Sequence, residues 1–139
     1  MRVLGCAFIL AVGVALSAST ASRVHLWADE RLLWADAVRK APEKPRPWVN
    51  LGNQYSREHL DNLAEDAYVR ATSLAENPSR LPDERAYGFS LAQANLAQLE
   101  VKRGEKEAAI ERLRATTARY RVTSVQALLT WYERQFATP

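Results

Sequence analysis

Cysteine is almost missing from this 139-residue chain, and the single one, Cys6, lies near its amino end. Beyond Cys6 no disulfide is available, so stability has to come from side-chain packing. The two histidines, His25 and His59, belong to separate segments, and neither H-E-x-x-H nor C-x-x-C occurs, so no metal site is expected. The five glycines are dispersed and form neither G-x-x-x-x-G-K nor G-x-S-x-G. No alternating run of Val, Ile and Thr argues for a sheet. The carboxylates Asp29-Glu30, Asp36, Asp83-Glu84 and Glu105 to Glu107 fall at helix starts or on polar faces, where capping or solvation explains them. Without a nucleophile, a base and an orienting group, neither an enzyme nor a cofactor is expected. The basic stretch from Lys102 to Arg121 lacks interleaved aromatics, which argues against nucleic acid and for a solvated face. A formal net charge of +3 with 25% charged residues is that of an ordinary soluble surface.

What is present divides the chain in two. After Met1-Arg2 comes an uncharged apolar run, Val3 to Leu16, followed by the small residues Ser17 to Ser22. A positive start, an apolar middle and small residues at a cut site describe a secretory signal, with cleavage after Ala21. An uncleaved membrane anchor is the rival reading, and both put the remainder outside the cytoplasm, in the periplasm or facing the exterior.

From Arg23 onward the apolar residues recur at helical spacing, and an all-α domain is expected. A first helix carries Trp34, Ala37 and Val38 and stops at Pro42. A second runs from about Pro47 to His59, and a third from near Asp61, capped by Asp61 or Asn62, to Asn77-Pro78. A fourth, capped by Asp83, ends at Gly104, and a fifth places Ala109, Ile110, Leu113, Thr117 and Tyr120 on one side. The sixth starts at Thr123 or Ser124, aligns Val125, Leu128, Leu129, Tyr132 and Phe136, and suits a lid on the end of a stack.

Self-similarity sharpens this. Asn50-Leu51-Gly52 recurs as Asn95-Leu96-Ala97, and in each copy an alanine follows at the same interval, Ala64 and Ala109. Together with Trp48, Tyr55, Tyr68, Ala71 and Pro78, these residues make the chain resemble the tetratricopeptide repeat family, over roughly Leu26 to Arg121. Small residues at 52, 97, 64 and 109 would let paired helices approach closely while Trp48, Leu51, Tyr55 and Tyr68 fill the space between them. The copies lie 45 residues apart, against about 34 in the family. The second copy has Gln93, Glu100 and Thr116 where the first has Trp48, Tyr55 and Ala71.

The resemblance implies an α-solenoid of stacked helical hairpins: a signal or anchor over 1–22, a half-repeat helix over 23–43, two units over 44–122 and a capping helix over 123–139. It also implies a concave wall built by the first helix of each unit. Arg46, Val49, Asn50, Asn53, Ser56 and Arg57 would come from one unit, and Leu91, Ala94, Asn95, Gln98, Val101 and Lys102 from the next. Asn50 and Asn95, equivalent in the two copies, resemble the asparagine ladder with which some tetratricopeptide proteins grip a peptide backbone. Val49 stands where the family's carboxylate clamp would need a lysine. The amino-side junction, Arg23 to Gly52, resembles that of multi-spanning membrane glycosyltransferase-like proteins with tetratricopeptide tails. Two functions are therefore expected: a non-catalytic scaffold gripping a peptide or protein partner, or a module docking onto or capping a multi-spanning envelope protein.

Overall fold

The computed structural model describes residues 29–136. The signal or anchor expected over 1–22 lies outside them, as does the start of the first expected helix. Among the described residues there are six helices and no strand, so the fold is all-α: α1 Glu30–Lys40, α2 Pro45–Arg57, α3 Asp61–Ala75, α4 Pro82–Lys102, α5 Lys106–Arg119 and α6 Thr123–Phe136. None of these helices is long and apolar enough to cross a membrane. The chain divides into two units, Met1–Leu33 and Trp34–Pro139, and α2 to α6 belong to the second.

Helix starts differ from the sequence expectation in one consistent way. Asp61 and Asp83 do not cap: the cap positions are Leu60 and Leu81, neither with a side-chain cap bond, and both aspartates stand inside the first turn. At α4 the cause is Pro82, whose fixed φ suits the first helical position and moves the start two residues toward the amino end. Asp83 and Glu84 then compensate the positive end of the helix as charges. Asp29 does cap, its Oδ1 accepting from the amides of Arg31 at 2.9 Å and Leu32 at 3.1 Å. α1 itself contains no buried residue.

In the second unit each helix packs on the next in sequence, and α2 also touches α4, as α4 touches α6. Two clusters form the core. Val49, Tyr68, Leu96 and Leu99 fill the first around Ala64, Ala71 and Ala92, with Trp48 and Tyr55 partly covered beside them. Leu113, Val125 and Tyr132 fill the second around Ala94, Ala97 and Ala109. α4 therefore buries two faces, which is why its apolar residues show no single stripe. Alanines at the contact positions bring helix axes close, and the large side chains around them supply most of the buried apolar area.

Helices come very close at Gly52, where a β-carbon would lie 2.5 Å from Cε1 of Tyr68. Glycine is required there so that the phenol ring can rest on the α2 backbone. On α6, Val125 and Tyr132 are buried while Trp131 is exposed, its ring 5.3 Å from that of Tyr132.

Candidate functional site

Helical periodicity puts Arg46, Asn50, Asn53 and Arg57 on one stripe of α2, and Asn95, Gln98 and Lys102 on one stripe of α4. The structure gathers four of these seven. Asn53, Arg57, Asn95 and Gln98, with Ser56 and Tyr68, line a polar depression of about 300 Å³ where α2 and α4 meet. At its floor Asn53 Oδ1 accepts two hydrogen bonds, one from the Tyr68 hydroxyl at 2.8 Å and one from Asn95 Nδ2 at 3.0 Å. Gly52 underlies this geometry, since a β-carbon there would collide with the Tyr68 ring that carries the hydroxyl.

The valences left over are informative. An amide side chain has two donor hydrogens and an oxygen with two lone pairs. Asn53 has used its oxygen and keeps its Nδ2 hydrogens, while Asn95 has used one hydrogen and keeps its oxygen; no further bond engages either group among the described residues. One donor and one acceptor thus lie side by side on the floor, the pair that a peptide backbone can satisfy.

Burial pushes the Tyr68 hydroxyl up from 10.0 to about 12; nearby Asp61 adds to the shift and Arg57 opposes it. The hydroxyl therefore stays protonated, and a donor to Asn53, at any physiological pH. Below pH 10 the folded and unfolded chains hold this proton equally. From pH 10 toward 12 the unfolded chain releases it first, so stability falls across that window. Tyr68→Phe is expected to cost about 1 kcal/mol through the lost bond. It should also remove the ionisation near pH 12 from the ultraviolet absorbance titration.

The other three expected site residues lie elsewhere. Asn50 is half-buried and does not line the depression, so the amide facing Asn95 is Asn53 rather than its sequence equivalent. Lys102 is paired with Asp61, Nζ to Oδ1 2.6 Å. Arg46 lines a separate hollow at the starts of α2 and α4. Two residues expected along the wall, Val49 and Ala94, are core residues only 1% and 7% exposed. Their helix faces turn toward neighbouring helices.

A second polar constellation escaped the sequence argument. Glu100 receives Arg112 in a fork, with Nε 2.9 Å from Oε1 and 3.0 Å from Oε2 and with Nη2 2.5 Å from Oε1. Arg112 Nη1 also donates to Gln93 Oε1 at 2.8 Å, and Gln93 Nε2 donates to Thr72 at 3.3 Å. Gln93 and Glu100 are the residues that replace Trp48 and Tyr55 in the second copy, and that double replacement was the available signal. With every oxygen of Glu100 engaged by Arg112, the network is a structural tie between α4 and α5.

Among the described residues no group of His, Cys, Asp and Glu is placed to hold a metal ion. The depression offers neutral amides, hydroxyls and one guanidinium, a set suited to hydrogen bonding. Comparison with protein-family models, with curated proteins and with solved structures found no match to this chain.

Proposed function

We propose that the chain is a non-catalytic scaffold of stacked helical hairpins, tetratricopeptide-like, which grips an extended peptide or protein segment along α2 and α4. The observation that carries this is the Asn53 Nδ2 donor beside the Asn95 Oδ1 acceptor, neither bonded to another described residue, with Asn53 oriented by Tyr68. Such a pair recognises a backbone C=O and N–H and is indifferent to side chains, so it favours many sequences weakly over one sequence tightly. Packing of each helix on the next, with α2 on α4 and α4 on α6, supports a stack of hairpins. The apolar amino-terminal sequence supports export or tethering at a membrane, with the domain facing the periplasm or exterior.

The test uses peptides selected from a random library on the full-length protein. The double variant Asn53→Ala/Asn95→Ala is expected to weaken their binding by about tenfold or more, since each lost hydrogen bond contributes about 1 kcal/mol. N-methylating the peptide backbone at the contacted residue should weaken it comparably, whereas exchanging peptide side chains should matter less. Selected peptides that bind the double variant as well as wild type would rule the amide pair out.

A further inference from the structure

A second hollow, of about 380 Å³, opens between the starts of α2 and α4 and is lined by Lys44, Arg46, Arg80, Glu84, Tyr87 and Gly88 among others. Its electrostatics run against what folding alone would favour. A helix start carries partial positive charge and normally attracts acids. Yet α2 has no acid in its first turn, and Lys44 at its cap position and Arg46 within that turn place two cations there. Neither side chain has an ion pair among the described residues.

Arg80 brings a third cation into the same hollow. It is held in place: Nε donates to the Leu74 carbonyl at 3.0 Å and Nη2 to the Glu43 carbonyl. Carbonyls orient a guanidinium without neutralising it, and Nη1 and the second Nη2 hydrogen remain to donate. Three cations and a helix start therefore face one lining carboxylate, Glu84. Tyr87, 58% exposed, adds an aromatic wall, and Gly88 keeps the floor low beside Ala75 and Pro45.

Repulsion of this kind lowers stability, and an anionic occupant would relieve it. We infer that this hollow is a binding site for an acidic peptide segment, separate from the amide pair of Asn53 and Asn95. Its shape selects among anions. A membrane presents its phosphates on a plane, whereas the oriented cation, Arg80, is partly buried and is reached by a side chain that enters the hollow. Glutamate or aspartate side chains can do so while their backbone rests on Tyr87. The volume is that of pockets that enclose small ligands, which suits two or three residues.

Fluorescein-labelled hexaglutamate, titrated into the full-length protein and followed by anisotropy, provides the test. Binding is expected at low ionic strength and should weaken severalfold near 0.15 M salt, where the screening length falls to about 8 Å. Lys44→Gln/Arg46→Gln, two exposed positions, should weaken it about tenfold or more, with the helical circular-dichroism signal unchanged. Lys44→Arg/Arg46→Lys should keep most of the affinity, and Asn53→Ala/Asn95→Ala should leave it untouched, which separates this site from the amide pair. Equal hexaglutamate affinity in wild type and the glutamine variant would overturn the inference. So would phosphatidylglycerol vesicles that lose binding in that variant while hexaglutamate never binds, or complete displacement by equimolar inorganic phosphate.

Discussion

Gly52→Val is expected to destabilise the fold by about 3 kcal/mol, at the upper end of what overpacking usually costs. The β-carbon alone would meet three ring atoms of Tyr68, at 2.5, 2.8 and 3.0 Å. That ring is 2% exposed and closed in by the first core cluster, so it has no room to retreat. Valine adds two methyl groups to the same place. Gly52→Ala makes the decision between opposing effects visible: alanine gains about 1 kcal/mol of helix preference, but the clash outweighs this, and a net loss of about 1 to 2 kcal/mol is expected. Gly88→Ala is the control. A β-carbon there lies 3.4 Å from that of Ala75 and 3.5 Å from that of Pro45, ordinary contacts. The substitution should be neutral or stabilise by up to about 1 kcal/mol. Urea unfolding followed by far-ultraviolet circular dichroism separates the three, and a Gly52→Val midpoint equal to wild type would contradict the packing of Tyr68 on α2. The same substitution should weaken the peptides selected on the amide pair, because displacing the phenol withdraws the bond that orients Asn53.

How much of this was legible in the sequence depends on the range of the interaction. The helices follow from periodicity and prolines, and the small residues at 52, 64, 97 and 109 announce close approach before any coordinates. Periodicity also groups the residues of each helix by face, and the tetratricopeptide resemblance, which implies a concave wall on one of those faces, is how Asn53, Arg57, Asn95 and Gln98 could be named. It cannot give the axial offset between α2 and α4, because that offset is set by the packing of side chains from both. The repeat made Asn50 the natural partner of Asn95, whereas packing puts Asn53, one turn further along, in that place. The same limit hid the pairing of Lys102 with Asp61. Val49 was assigned to an open wall for a related reason: a helix with neighbours on two sides buries a wider arc than one stripe suggests. Helix caps were misplaced because a leucine that lies before a proline or an acidic first turn bears no polar mark of its position.

The second large effect concerns the tie between α4 and α5. Glu100→Ala is expected to cost about 2 to 3 kcal/mol, well beyond the value of the ion pair itself. The Glu100 side chain is 13% exposed and that of Arg112 32%, so removing the carboxylate strands a guanidinium that is two-thirds covered. Breaking a buried pair from one side costs about 3 to 5 kcal/mol, and the partial exposure of Arg112, which lets water reach it, brings the figure down. Replacing both partners removes the stranded charge. Trp48 and Tyr55, which stand at the corresponding sequence positions on α2, are partly buried against the first core cluster. Glu100→Met/Arg112→Leu should therefore recover most of the loss, with Gln93 keeping its bond to Thr72. A double-mutant cycle on urea midpoints reads the coupling directly, and an interaction energy of about 1 to 3 kcal/mol is expected. A doubly apolar variant as unstable as Glu100→Ala would mean that the guanidinium fork is itself the larger source of cohesion between α4 and α5. Recovery would mean that the fork sets how α5 packs on α4 without adding to the strength of that contact.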